Sequence, residues 1–139
     1  GDAATERFHT LAGDIQQTEA ELSRVSDLMA AVVQYAKTRP AFDGYKAAKY
    51  SRKYLAEHEA ELADYRAAKA TMAELLGGEK LPKMDVLKEK RRQLAARKKA
   101  LYLEYRKAQQ DMRELVAVKG SVDHLRGLTD NQRNKEQAR

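Results

Sequence analysis

The sequence predicts an all-α protein, an elongated antiparallel three-helix bundle with coiled-coil-like packing, and three observations carry that prediction. Phe8, Leu11, Ile15, Thr18, Leu22, Val25, Met29, Val32 and Ala36 follow one another in alternating steps of three and four residues. At 3.6 residues per turn this spacing keeps a narrow stripe on one side of a helix and demands a long partner to cover it. Two clusters of helix breakers, around Pro40 to Gly44 and Gly77 to Pro82, divide the 139 residues into three stretches. The composition, 35% charged and 6% aromatic, suits long exposed helices.

The first helix is expected over residues 5–38, ending before Pro40, because proline disfavours helical geometry in the residue that precedes it. A connector over 39–51 follows. Ser51 is placed to cap the second helix, expected over 52–76, with its hydroxyl on an orphan backbone N–H. The seam of that helix is Leu55, His58, Leu62, Tyr65, Lys69, Met72 and Leu76, and Gly77-Gly78 offers the left-handed conformation of a C-cap. The third helix is expected over 83–125, with Met84, Leu87, Arg91, Leu94, Lys98, Leu101, Tyr105, Ala108, Met112, Leu115, Lys119 and Val122 as its seam. Both connectors are too short to lead to parallel neighbours, so the chain must fold back. The bundle would then occupy 1–126, and 127–139, rich in Asn and Gln without apolar periodicity, would be a polar flexible tail.

No apolar run approaches the roughly 18 residues that cross a bilayer, cysteine is absent, and residues 1–5 lack the order of a signal peptide. The expectation is a soluble cytoplasmic protein without contact to membranes. Catalytic chemistry is equally hard to build. His9, His58 and His124 are far apart and show no metal-ligand spacing, no Gly-rich phosphate loop occurs, and Ser51 has no nearby base. The sequence therefore predicts no metal, no cofactor and no independent enzymatic activity.

Charge is unevenly placed. Residues 1–77 carry 10 Lys and Arg against 12 Asp and Glu, whereas residues 78–139 carry 17 against 9. A run over 88–107, including Arg91, Arg92, Arg97, Lys98 and Lys99, would concentrate polyanions, or would equally serve as a solvated helix face. The segment 35–54 interleaves Tyr35, Phe42, Tyr45, Tyr50 and Tyr54 with Lys37, Arg39, Lys46, Lys49, Arg52 and Lys53, against a single Asp43. Aromatic faces stack on unpaired bases while cations hold phosphates, so this composition fits a single-strand binding surface. The alternative is that Phe42, Tyr45 and Tyr54 bury their rings to close the end of the bundle. The candidate nucleic-acid-binding residues are thus Lys37, Arg39, Tyr45, Lys46, Lys49, Tyr50, Arg52 and Lys53, joined in one track with Arg91, Arg92, Arg97, Lys98 and Lys99.

The motifs Tyr35-x-Lys37-Thr38-Arg39, Tyr45-Lys46-Ala47-x-x-Tyr50-Ser51-x-Lys53, His58-Glu59-Ala60-Glu61, Ala67-Ala68-Lys69, Lys80-Leu81-Pro82, Tyr105-Arg106-Lys107-Ala108, Met112-Arg113-Glu114-Leu115 and Val122-Asp123 come in this order. Over residues from about 15 to 139 the chain resembles the helical C-terminal region of relaxases, the mobilisation nucleases of plasmids and conjugative transposons of Gram-positive gut bacteria. The resemblance implies a part in conjugation. Relaxases of this kind nick DNA with a tyrosine and a histidine-held metal in an N-terminal domain, and neither can be placed here, so no tyrosine of this chain is assigned as a nucleophile. Two functions are expected from it: an accessory domain that grips the transferred DNA, or a coiled-coil module that joins other relaxosome components or the coupling protein. A basic RNA-binding helical arm is a third reading, and pairing with a second copy of the chain stays open.

Overall fold

Four helices make up the described residues: α1 (Ala3–Ala47), α2 (Arg52–Glu57), α3 (Glu59–Leu76) and α4 (Met84–Gln137). The structure, a computed structural model, describes the backbone of residues 2–137 and the side chains of residues 2–128. Every regular element among the described residues is helical, and no helix is long and apolar enough to cross a membrane. Contacts divide the chain into two units, residues 18–97 and residues 1–17 with 98–139.

In the first of these units α1, α3 and the start of α4 share one core. Val25, Leu28 and Met29 of α1 cluster with Leu87 and Leu94 of α4, and Met72, Leu75 and Leu76 of α3 pack against them. The seam positions Thr18, Leu22, Val25, Met29 and Val32 are all buried or half-buried, but Ala36 is exposed. Burial shifts instead to Leu28, Ala31, Tyr35, Thr38 and Phe42. A straight helix drifts about 20° per heptad against a strict seven-residue repeat, and the shift turns α1 toward α3. Tyr35 stacks on Tyr65 at 5.2 Å, and the Arg24 guanidinium donates to the carbonyl of Leu75 near the end of α3, so the two helices run antiparallel. In the other unit α1 and α4 meet through Phe8 and Tyr105, stacked at 4.8 Å, with Leu11, Ile15 and Ala108 buried.

Four boundaries differ from expectation. Helix α1 continues through Pro40 to Ala47, across most of the predicted connector. Proline inside a helix costs about 3 kcal/mol, mainly because it leaves the carbonyl four residues back without its donor. Here that carbonyl belongs to Ala36, which is exposed like Pro40 itself, so water can satisfy it. On the opposite side, the Thr38 hydroxyl donates to Gln34 O at 2.8 Å, and Phe42 stacks on Tyr65 at 4.4 Å. Burial of that face outweighs the local preference. The predicted second helix is two, α2 and α3, broken at His58 with φ −122° and ψ 25°. The start of α1 lies earlier than predicted, because the Asp2 carboxylate accepts from the Thr5 N–H at 2.7 Å as an N-cap, which also holds the Asp2 carboxyl below its usual range. Finally, the backbone of α4 is helical to Gln137, over most of the predicted tail, while residues 138–139 lie outside the described residues. The caps predicted at Ser51 and Gly77 are present: the Ser51 hydroxyl accepts from the Tyr54 N–H at 3.3 Å, and Gly77 has φ 55°.

Tyr65 is 5% exposed, and burial raises its hydroxyl pKa above the ordinary tyrosine range, with the neighbouring Tyr35 hydroxyl adding to the effect. A raised folded-state pKa means that the native state holds this proton more tightly than the unfolded chain does. The associated stability is fully present below the unfolded value of about 10 and is lost as pH rises through the folded value. Urea titrations should show the native protein losing stability steeply above pH ~10, and Tyr65→Phe losing less over the same interval; equal losses would show that Tyr65 is not responsible.

Candidate nucleic-acid interface

The end of α1 is closed by a cap that normally uses glycine. The Tyr50 N–H donates to Tyr45 O and the Lys49 N–H to Lys46 O, both at 2.9 Å, which is the pair of bonds of a Schellman motif. Lys49 has φ 54° and Tyr50 φ 60°, so two consecutive residues with side chains occupy the left-handed region. Each such residue costs roughly 1–2 kcal/mol. Ser51 then starts α2, whose Tyr54 folds back onto α1: its hydroxyl donates to Ala41 O at 2.7 Å. The approach is close enough that a Cβ at Gly44 would lie 2.2 Å from the Tyr54 oxygen. Gly44, which looked like a breaker in the sequence, is in fact the space into which Tyr54 fits.

This folding back decides what becomes of the aromatic residues. Tyr35 and Phe42 stack on Tyr65. Tyr45 lies at 6.0 Å from Tyr54 in a stacked orientation and meets the edge of Tyr50 at 5.2 Å, while Tyr54 also stacks on His58 at 4.1 Å. The rings of Phe42, Tyr45 and Tyr54 are half-buried, in keeping with the reading that they close this end of the fold. Tyr50 is 59% exposed. Tyr65 belongs to the same cluster and was visible in the sequence only as a seam position.

The cations around this end are all exposed: Lys37, Arg39, Lys46, Lys49, Arg52 and Lys53. Arg39 and Lys46 share Asp43 at 3.9 and 4.0 Å, and they also lie over the rings of Tyr35 and Phe42. Among the described residues Lys49, Arg52 and Lys53 form no ion pair, and they flank Tyr50 in sequence.

The basic residues of α4 stand elsewhere. Arg91, Arg92 and Arg97 are exposed, but successive residues on a helix are turned about 100° from one another, so Lys90, Arg91 and Arg92 do not share a face. Arg92 is held by Glu89 through contacts of 2.9 and 2.6 Å, which lower the Glu89 carboxyl and raise the Arg92 guanidinium from their usual ranges. The Arg97 Nε donates to the hydroxyl of Thr18, the buried polar member of the α1 seam, at 3.4 Å. Thr18 lies 27 residues before Tyr45, and at 1.5 Å per residue that separation along α1 is about 40 Å. The predicted single track is therefore two separate basic regions. Lys98, half-buried, and Lys99, exposed, fall in the other unit.

Among the described residues no group of His, Cys, Asp or Glu could hold a metal ion. An open groove of about 610 Å³ between α1 and α3 is lined by the small side chains of Ala30, Ala31, Ala67 and Ala68 together with polar Asp27, Gln34, Asp64, Thr71 and Glu74.

Two substitutions separate the parts of the α1–α2 turn. Lys49→Gly should stabilise the protein by about 1 kcal/mol, because glycine adopts the left-handed cap without the Cβ penalty. Gly44→Ala should destabilise it by at least as much, since Tyr54 must leave Ala41. Chemical denaturation checks both, and a destabilising Lys49→Gly would show that the turn carries no strain. Comparison of the chain with protein-family models, with curated proteins and with solved structures gives no match.

Proposed function

We propose that the chain is a non-catalytic accessory module that binds single-stranded DNA at the α1–α2 turn, with an antiparallel three-helix, coiled-coil-like scaffold behind it. The observation that carries the reading is the pair Lys49 and Tyr50. Both side chains are displayed from left-handed backbone, an arrangement with an energetic cost that persists only where surrounding packing over-determines it. Tyr45 and Tyr54 supply that packing. The product is one exposed ring with Lys49, Arg52 and Lys53 beside it in sequence, the pairing of stacking face and phosphate-holding charge that unpaired nucleotides require.

The site is smaller than the sequence suggests. With Tyr45 and Tyr54 engaged internally, one base can stack on Tyr50 while the backbone on either side meets cations. The resemblance to the helical region of relaxases supports the transferred strand as the ligand, in the cytoplasm, with nicking done by another domain. A protein-interaction role is favoured by a different observation, the apolar side chains displayed late in α4, which is taken up below.

Titration with single-stranded and duplex DNA at two salt concentrations tests the proposal. Single strands should bind more tightly than duplex, with log affinity falling linearly as log salt rises. Replacing Lys49, Arg52 and Lys53 together with Ala should reduce that slope by about 2, at roughly 0.7 counterions per lost contact. Tyr50→Ala should cost about 1–3 kcal/mol with little change in slope. Unchanged affinity in the triple variant, with helicity preserved by circular dichroism, would refute the assignment.

A further inference from the structure

Helix α4 displays a second periodic stripe on the part of its length that follows Met112. Leu115, Val118, Val122 and Leu125 repeat in steps of three, four and three, and each is between 41% and 62% exposed. Their spacing places them in a narrow band along one side of the helix. Asp111 precedes the band at the same spacing, so the apolar seam has a polar limit at its N-terminal end. Contiguous exposed apolar surface of this kind marks an interaction site more often than chance.

We infer that α4 pairs in parallel with α4 of a second copy of this chain through these four residues. In the heptad they define, Leu115 and Val122 take the a positions and Val118 and Leu125 the d positions. Glu114 then flanks the seam at g, and Lys119 lies five residues further on at e. In a parallel pair each g side chain meets the e side chain five residues later in the partner, so Glu114 of one copy meets Lys119 of the other, twice per dimer. The next such pair, Ser121 with Arg126, carries no like charges.

An antiparallel pair is worse. The register that sets Leu115 against Leu125 brings Lys119 opposite its own copy, and like charges at that distance repel. The charges flanking the seam thus select both the kind of partner, a helix with the same sequence, and its direction. A four-residue seam is short for a coiled coil made from free peptides, because helix nucleation is costly. Here α4 is already helical from Met84, so association fixes no new backbone. The dimer should be weak and dependent on concentration.

The chain has no cysteine, which makes a cross-linking test specific. In full-length protein, Val122→Cys should form a covalent dimer under mild oxidation, because equivalent a positions of a parallel pair approach within disulfide range. Ala117→Cys, off the seam, should not. Sedimentation velocity through the micromolar range should show a monomer–dimer equilibrium. Glu114→Lys should weaken it by about tenfold, and adding Lys119→Glu should restore it. The inference falls if the native chain stays monomeric throughout that range, if Ala117→Cys cross-links as readily as Val122→Cys, or if the double charge reversal fails to rescue. None of these residues lies in the α1–α2 turn, so the outcome is independent of DNA binding.

Discussion

The insertion of Tyr65 against Tyr35 and Phe42 is the contact on which the α1–α2 end of the protein depends. The two α1 residues are seven apart, two helical turns, so the Tyr65 ring enters between them from α3. Tyr35 precedes Pro40, but the Phe42 contact could not form if α1 ended where its proline invites it to end. Keeping Phe42 in register with Tyr35 requires helical backbone across Pro40, and that in turn carries Gly44 and Tyr45 to the positions that receive Tyr54. One ring from α3 thereby favours helix past Pro40, and the left-handed cap at Lys49 and Tyr50 is what ends α1 and lets the chain turn.

The same contact limits the proposed binding surface. Aromatic side chains are few, and a fold that spends Tyr35, Phe42, Tyr45, Tyr54 and Tyr65 on holding two helices together keeps only Tyr50 outward at this end. Arg39 and Lys46, though exposed, share Asp43 and lie over the rings of Tyr35 and Phe42. A surface that looks rich as a string of letters becomes selective once the rings have partners. Recognition would rest on a single stacked base and a local cluster of charge, a design that tolerates any sequence.

Helix existence was legible in the sequence because a heptad seam is a long, repeated signal: Leu11, Ile15, Val25, Met29, Leu87 and Leu94 are buried as their spacing requires. The caps at Ser51 and Gly77 were legible too, since each depends on the chemistry of one residue. What could not be read was tertiary override. Pro40 and Gly44 carry strong local preferences against a helix, and only the position of Tyr65, some twenty residues away in the chain, reveals why they are overruled. The break at His58 was hidden for the converse reason, as no breaker residue marks it. The basic run of α4 misled in another way, for charge density along a sequence does not state which side of a helix each residue takes. Of the candidate site, the turn around Lys49 and Tyr50 was found by composition, whereas its left-handed backbone had no signature.

The bond between Thr18 and Arg97 has a consequence for how the helices find their alignment. A seam that repeats every seven residues is nearly degenerate: sliding one helix past its neighbour by a full heptad restores most apolar contacts. Leu and Val are interchangeable under such a slip, but the Arg97 guanidinium that donates to the Thr18 hydroxyl is not, because a slip of one heptad sets Lys90 or Glu104 in its place. In the other unit, the Phe8 and Tyr105 stack is likewise unique within the repeat. These non-repeating contacts act as registration marks on an otherwise periodic surface, and they make one alignment of α1 and α4 the ground state among several that hydrophobicity alone would accept.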